Sequence, residues 1–435
     1  MSDEILGLVA LAVLFAVIFI GFPITFTLGA VALATGFYAL GPMVFDLAVL
    51  QTFSVMKDTV LASIPFFLFM GFLLEQSGLM ERMFIGIQQL LSGVRGSLYL
   101  AVLITATIFA AATGIVGSSV TLLGVMAGPA MIRSGYDPKM SAGAITAGGT
   151  LGILIPPSVM LIVMGPVVGV PATDLFAAAI VPGLLLSTLF TVWCLLRCWI
   201  NPSLGPALPP ELRAHSLGSV MRDLAIGVMP VIVVILSTLG VILAGIATPT
   251  DAGAVGCAAV FLLTLLSRRM TLRKLRHAAH QTLEVSSMIL LLVAASNLFG
   301  AVFSRLGSAE YLAGLLTSLS LPPTLMLLLI LALIFVLGWP LEWVPIVLIV
   351  VPIVLPIVQA AGIDMIWFCT LVAMTLQTAW LSPPVALSAY FLKGVVPQWE
   401  LKHIYAGMVQ FMMLQLAGVG LLLLFPKLAT WLVTP

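Results

Sequence analysis

Charged side chains are scarce in this sequence: only 8% of its 435 residues are Asp, Glu, Lys or Arg, against about 25% in a typical soluble domain. With so few charges, the chain has too little polar surface to face water on all sides, which excludes a soluble globular protein. Hydrophobic residues make up 62% of the chain, and apolar runs long enough to cross a membrane recur along it. The composition therefore predicts an all-α polytopic membrane protein in contact with a lipid bilayer.

Cysteine is also rare, and its four copies give no sign of a metal site. Cys194 and Cys198 are one helical turn apart but have no histidine or carboxylate beside them, so we expect them to be small apolar filling. The net charge is +1 and there is no basic tract, which argues against a nucleic acid partner. An enzyme is disfavoured because no paired nucleophile and base can be placed at membrane depth.

The chain contains an internal repeat. A shift of 227 residues (364 − 137) aligns SGYDPK, which contains Asp137, with AGIDMI, which contains Asp364. The same shift places the Pro156-Pro157 pair on the Pro383-Pro384 pair. We therefore predict a first repeat over residues 1–200, a polar cytoplasmic linker over 201–223 and a second repeat over 224–435.

Each copy is predicted to hold five spans, a re-entrant helical hairpin and one discontinuous helix broken at its proline pair. An odd number of crossings turns the second copy upside down, so the two repeats are inverted, as in secondary transporters. The predicted scaffold spans are 4–22 and 24–40 in the first copy and 224–245 and 250–267 in the second. Third spans follow at 60–78 and 284–304, the hairpins at 97–133 and 322–360, and the broken helices at 137–171 and 364–393.

Basic residues set the predicted orientation. If both termini lie outside, only Lys57, Arg305 and Lys427 of the 17 Lys and Arg residues fall outside, and the other 14 (17 − 3) fall in the cytoplasm. Membrane proteins concentrate Lys and Arg on the cytoplasmic side. We therefore predict a multi-pass membrane protein with its N- and C-termini on the outer side of the membrane.

The two broken helices form the predicted site. The run TAGGTLGILIPPS (146–158) places three glycines and two prolines inside an apolar span, where each unpaired backbone group costs several kcal/mol. A proline kink healed by neighbouring helices explains one such break, but two at matched positions favour a midplane binding site. There, free N–H groups and positive dipole ends suit an anion, while unwound carbonyls and hydroxyls suit Na⁺.

Acidic residues near these segments have separate expected roles. Glu342, in LGWPLEW at the tip of the second hairpin, is the acid expected deep in the membrane there. Because intramembrane carboxylates are usually functional, we assign it to coupling or to capping of the hairpin helix. Asp137 and Asp364 begin the broken helices and are expected to be N-caps, as are Asp174 and Asp251.

Three stretches carry a family resemblance: FAAATGIVGSS, SGYDPKMSAGAITAGGTLGILIPPS and TLQTAWLSPPVAL. They resemble the large membrane (permease) subunit of the tripartite ATP-independent periplasmic (TRAP) transporters, the DctM-like family, over essentially the whole chain. The branch is similar to mannitol, chloroaromatic and 2-oxo acid systems. The resemblance implies an elevator-type ion transporter fold and an organic acid substrate. It also implies two partners, a small four-helix TRAP membrane subunit and a periplasmic substrate-binding protein. The implied location is the bacterial inner (cytoplasmic) membrane, with periplasmic N- and C-termini.

By the same resemblance, Na⁺ (two or more ions) binds where each hairpin tip meets a broken helix. The implied ligands are Ser118, Ser119, Gly149 and Thr150 at the first junction and Gly338, Thr378 and Ser382 at the second. The tips and breaks are also expected to contact the substrate, through Thr113, Gly114, Thr121, Pro156, Pro157, Ser158, Gln377, Pro383, Pro384 and Ser388.

The predicted function is therefore Na⁺-coupled transport of a small organic anion into the cytoplasm by the permease of a tripartite uptake system. A stand-alone Na⁺/dicarboxylate symporter or exchanger of similar fold is the alternative. A channel is disfavoured because the sequence offers two half-sites rather than a continuous polar pore. The chain has no G-x-x-x-x-G-K-[ST] phosphate-binding motif, so we expect ATP not to drive transport.

Overall fold

The computed structural model describes residues 2–114, 116–207, 217–266, 270–318, 321–383 and 386–433, and within these ranges the chain forms helices and no strands. Eight helices in the described ranges are long and apolar enough to cross a membrane. The number is nine if Ser63–Gln76 and Leu79–Leu90, which meet at a bend of 59°, form one span. The chain is thus an all-helical, multi-span membrane protein, as its composition predicted.

The first half of the chain is built from α-helices joined by short turns. They are α1 (Asp3–Ile20), α2 (Ile24–Leu40), α3 (Met43–Lys57), α4 (Ser63–Gln76), α5 (Leu79–Leu90), α6 (Ser97–Thr113), α7 (Val116–Arg133), α8 (Pro138–Thr150), α9 (Val159–Val168) and α10 (Ala172–Ile200). A 3₁₀ turn, Leu151–Ile153, follows α8. Helices α6 and α7 form the arms of the first hairpin, and α8 and α9 lie on either side of the first break.

The second half of the chain is also built from helices. Its helices are α11 (Leu217–Ile235), α12 (Val241–Leu243), α13 (Pro249–Leu266), α14 (Leu272–Arg305), α15 (Ser308–Ser318), α16 (Pro323–Leu337), α17 (Trp343–Pro345), α18 (Val351–Ala360), α19 (Met365–Ala379), α20 (Leu387–Val395), α21 (Leu401–Leu424) and α22 (Lys427–Thr430). A π-helical turn, Ile346–Val350, joins α17 to α18, so the second arm of the second hairpin is continuous from 343 to 360.

The helices recur at the offset seen in the sequence. Helix α8 begins at Pro138 and α19 at Met365, which is again a shift of 227 residues (365 − 138). One difference is that α3 and α4 are separate, whereas the equivalent residues of the second copy form the single 34-residue helix α14. The orientation of the two copies in the membrane stays a prediction.

The expected N-caps divide into two outcomes. Asp137 and Asp364 are confirmed, because each carboxylate accepts a hydrogen bond of 2.8 Å from the backbone N–H three residues later. Asp174 and Asp251 are wrong as caps, since both lie inside the first helical turn. Thr248 precedes α13 and takes the capping role there, by accepting a 3.2 Å hydrogen bond from the Asp251 N–H.

Glycines allow the central helices to pack closely. A Cβ atom on Gly407 of α21 would lie only 1.9 Å from the Lys139 carbonyl oxygen of α8, and one on Gly143 would lie 2.5 Å from the Phe411 ring. Small residues permit this backbone approach between membrane helices. As a result, α8 is buried from Met140 to Thr150, and the broken helices occupy the centre of the molecule.

Candidate functional site

The first hairpin tip packs directly on the first break. Gly114 ends α6 with a left-handed backbone (φ 62°), and a Cβ there would lie 2.6 Å from the Pro157 carbonyl oxygen. On the other side of the junction, a Cβ on Gly149 would lie 2.3 Å from Cγ2 of Val120 and 3.0 Å from its backbone N and Cα. The structure therefore brings together residues that are 29 (149 − 120) and 43 (157 − 114) positions apart in the sequence.

Ser118 and Ser119 lie on different faces of α7. Ser119 is buried, and it precedes Val120, the residue that Gly149 of α8 approaches. Ser118 is only partly buried, and its side chain interacts with the Glu75 carboxylate at the end of α4. In this conformation, Ser118 is thus turned toward α4 rather than toward Gly149.

The Thr150 hydroxyl joins three helices. It donates to the Ala147 carbonyl oxygen of its own helix at 2.8 Å and accepts from Nε2 of Gln377 on α19 and of Gln415 on α21, each at 3.4 Å. All three side chains are fully buried. Thr150 and Gln377 are separated by 227 residues, the shift that aligns the two predicted repeats. We call Thr150, Gln377 and Gln415 the central polar cluster.

The second junction repeats the close approach of the first. A Cβ on Gly338, at the end of the first arm of the second hairpin, would lie 2.6 Å from the Ala379 Cβ. The neighbouring Trp339 donates from its indole Nε1 to the Ser382 hydroxyl at 3.0 Å. The Thr378 hydroxyl donates within its own helix, to the Met374 carbonyl oxygen at 2.8 Å. Ser382 is therefore the side chain of the second predicted Na⁺ site that contacts the hairpin.

A cavity of about 130 Å³ lies where the hairpin tips and the first break meet. Its walls come from both hairpin tips, from the start of α9, from Trp380 beside the second break, and from α4 and α14. The lining residues are Leu68, Gly114, Val116, Gly117, Ile153, Ser158, Val159, Met160, Val285, Met288, Ile289, Glu342, Trp343, Val344 and Trp380. No Lys, Arg or His is among these residues, and Glu342 is the charged side chain present.

Three helices begin at this cavity. Helix α7 starts at Val116, α9 at Val159, and the continuous helix of the second hairpin at Trp343, and all three residues line the cavity. The first N–H groups of a helix have no intrahelical acceptor and carry a partial positive charge. The cavity is therefore electropositive at three points of its wall although no basic side chain reaches it.

Glu342 lines the cavity without a partner among the described residues. It precedes the first residue of α17, but its side chain makes no capping hydrogen bond, so the capping alternative for this residue is wrong. The residue is exposed, and no described side chain forms an ion pair or hydrogen bond with its carboxylate. A role in coupling stays a prediction.

Only some of the predicted substrate-binding residues line the cavity. Gly114 and Ser158 line the cavity. Among the described residues, Thr113, Thr121, Pro156, Pro157, Gln377, Pro383 and Ser388 do not line it, and Pro384 lies outside the described ranges. Two of these hydroxyls bond to backbone carbonyl oxygens instead: Thr113 to Phe109 at 3.1 Å and Ser388 to Trp380 at 2.6 Å.

Four residues of the site were missed in the sequence: Glu75, Trp380, Phe391 and Gln415. Trp380 stacks on Phe391 with ring centroids 6.4 Å apart, and a Cβ on Gly117 would lie 3.2 Å from that Phe391 ring. Gln415 and Glu75 carried a usable signal, because each is a polar residue within or ending an apolar helix. Trp380 and Phe391 could not have been identified from the sequence, since aromatic residues are common throughout such helices.

Comparison with known proteins identifies the family. Residues 11–428 match the model of the family described as "Tripartite ATP-independent periplasmic transporter, DctM component". The large permease of a C4-dicarboxylate TRAP transporter from Rhodobacter capsulatus is 28% identical over 406 residues, which are 89% of this chain and 90% of that protein. The large permease of a sialic acid TRAP transporter from Vibrio cholerae is 27% identical over 380 residues, covering 87% of both.

The fold has a solved counterpart. The crystal structure of the YdaH transporter from Alcanivorax borkumensis superposes with a TM-score of 0.63 over 88% of both chains, at 18% identity. At that identity the similarity concerns the fold alone. The family model, in contrast, spans nearly the whole sequence. The chain therefore belongs to the DctM component family of the tripartite ATP-independent periplasmic transporters, whose members are membrane permease subunits and not enzymes.

Proposed function

We propose that this permease carries a small organic anion into the cytoplasm, driven by Na⁺, within a tripartite binding-protein-dependent system of the bacterial inner membrane. The observation that carries this proposal is the meeting of three helix N-termini at one cavity. Each helix N-terminus is equivalent to roughly half a positive charge, and carboxylates bind well to such free N–H groups. The relatives named for C4-dicarboxylates and sialic acid support an organic acid as the transported anion.

Na⁺ sites at the two junctions are part of the proposal. At the first, Ser119 and the backbone of Gly149 are the best placed of the expected ligands, since Gly149 touches the backbone beside Ser119. The Thr150 hydroxyl is engaged in the central polar cluster, so we expect the Thr150 backbone carbonyl oxygen to coordinate Na⁺ instead. Ser118 contributes only after it releases Glu75. At the second junction, Ser382 and the Gly338 and Thr378 carbonyls are the proposed oxygen donors.

The walls of the cavity support an elevator-type movement. One side comes from the hairpins and broken helices, and the other from Leu68 on α4 and from Val285, Met288 and Ile289 on α14. A substrate at this boundary moves with the hairpin unit if that unit slides against the scaffold. We assign the binding of the small four-helix membrane subunit to the scaffold, and delivery of the anion to the periplasmic substrate-binding protein.

Reconstitution tests this function. The permease and its small subunit are placed in liposomes, the binding protein is added outside, and uptake of radiolabelled organic acids is followed with an inward Na⁺ gradient and no ATP. We expect uptake that needs all three proteins. Full uptake without the partners supports the stand-alone symporter instead, and uptake that requires ATP contradicts the proposal.

A further inference from the structure

The Glu342 carboxylate is an unusual wall group for an anion site. It lines the same cavity as the three helix N-termini, it is exposed there, and none of the described side chains neutralises it. A carboxylate in the wall of a binding site attracts hydrogen-bond donors and repels other anions. Because none of the described side chains pairs with Glu342, a donor group on the bound acid can do so.

The charges around the cavity limit the charge of its ligand. Three helix N-termini contribute about +1.5 elementary charges, and Glu342 contributes one negative charge. The remainder, about +0.5, is enough to favour a single carboxylate. A second carboxylate about 6 Å from Glu342, at an effective dielectric constant of about 20, is repelled strongly enough to weaken binding on the order of 100-fold.

The cavity also limits the size of its ligand. Its volume of about 130 Å³ is well below the roughly 300–1,000 Å³ of ordinary ligand pockets. Leu68, Val285 and Ile289 make one wall apolar, so the polar groups of a ligand have to face the hairpin tips. A short acid with its polar groups at one end fits this arrangement.

We propose that the transported acid is a small monocarboxylate that also bears a hydrogen-bond donor, a hydroxyl or an ammonium group, and that Glu342 accepts this hydrogen bond. The carboxylate of the acid lies at the helix N-termini and its donor lies at Glu342. This assignment rests on the proposed function, because it names which organic acids the cavity takes. It distinguishes this permease from a dicarboxylate carrier, because the Glu342 carboxylate would repel the second carboxylate of a dicarboxylate.

Binding to the purified full-length permease, in complex with its small subunit and with Na⁺ present, tests this assignment. Four acids form a matched set for calorimetric titration: lactate with a hydroxyl, alanine with an ammonium group, propionate with neither, and malate with a hydroxyl and a second carboxylate. A hydrogen bond to a charged group is worth about 10- to 150-fold in affinity. We therefore expect lactate or alanine to bind at least tenfold more tightly than propionate, and malate to bind at least tenfold more weakly than lactate.

Two substitutions separate the hydrogen bond from the charge. Glu342→Ala should reduce lactate or alanine binding to the level of propionate, whereas Glu342→Gln should raise malate affinity about tenfold or more by removing the repulsion. Glu284→Gln, at an exposed carboxylate on α14 outside the cavity, should leave all four affinities unchanged. The preference between lactate and alanine identifies the donor.

Wild-type protein that binds malate as tightly as lactate overturns the assignment, as does a Glu342→Gln variant with an unchanged malate-to-lactate ratio. Binding of none of the four acids also overturns it. The proposed function fails separately, if the reconstituted system takes up no organic acid of any kind under a Na⁺ gradient. Uptake of dicarboxylates therefore refutes the monocarboxylate assignment and leaves the transport function intact.

Discussion

Replacing Thr150 with Val removes one oxygen atom from the centre of the molecule and leaves the shape of the side chain almost unchanged. That oxygen accepts hydrogen bonds from the amide nitrogens of Gln377 and Gln415. Both amides are fully buried, and their Oε1 atoms already have no partner in the described part of the chain. Among the described residues, neither amide nitrogen has another hydrogen-bond acceptor. The substitution therefore leaves two buried N–H donors unsatisfied.

The loss of stability expected for Thr150→Val follows from the two hydrogen-bond distances. An unsatisfied buried donor costs about 1–3 kcal/mol, but both bonds measure 3.4 Å, longer than the usual 2.7–3.2 Å or so. The lower end of the range therefore applies to each donor, and the total is about 2 kcal/mol. Thr146 supplies a matched control on the same helix, since it is equally buried but bonds only to the Ala142 and Gly143 carbonyl oxygens of its own helix.

Thermal unfolding of the purified full-length protein in detergent measures the difference. Thr150→Val should unfold about 2–4 °C below Thr146→Val, a shift scaled from about 2 kcal/mol for a chain of this size. In a Gln377→Leu background the same Thr150→Val change should cost about half as much, because one of the two donors is gone. Equal midpoints for the two valine variants refute the central polar cluster as a stabilising contact.

Two further substitutions test the first hairpin. Gly149→Ala places a methyl group 3.0 Å from the Val120 backbone, so we expect a loss of about 1–3 kcal/mol of stability and reduced uptake. Gly300→Ala, with open space around it, should change neither stability nor uptake. Equal uptake by both variants contradicts the close packing of the first junction. Glu75→Ala removes the carboxylate that interacts with Ser118, so the Na⁺ concentration for half-maximal uptake should fall by up to about tenfold. An unchanged Na⁺ curve would show that Ser118 is not a Na⁺ ligand.

The helix breaks and two of the caps were predictable because they follow local rules. Proline pairs and glycines interrupt a helix wherever they occur, and Asp137 and Asp364 precede the first helical residue of their segments. The start of α14 was missed for a local reason too. The sequence placed that span at 284–304, but its first turns are basic, and the helix begins at Leu272.

The contacts of the site were less predictable because they depend on how distant segments pack. Gln415 reaches Thr150 across 265 residues, through the close packing of α21 on α8 that Gly407 and Gly143 allow. No local pattern sets that register. The capping role expected for Glu342 was wrong, because its side chain lines the cavity and makes no capping hydrogen bond to the helix N–H groups.

Na⁺ coupling is the central claim, and simultaneous flux of both solutes tests it most directly. Liposomes that hold the permease and its small subunit, with binding protein outside, are given radiolabelled Na⁺ and a transported acid with a different label, and both are counted over the first seconds. The account predicts that Na⁺ and acid enter together in a fixed ratio of about two or more Na⁺ per acid. Acid uptake that continues at the full rate with no accompanying entry of Na⁺ would contradict it.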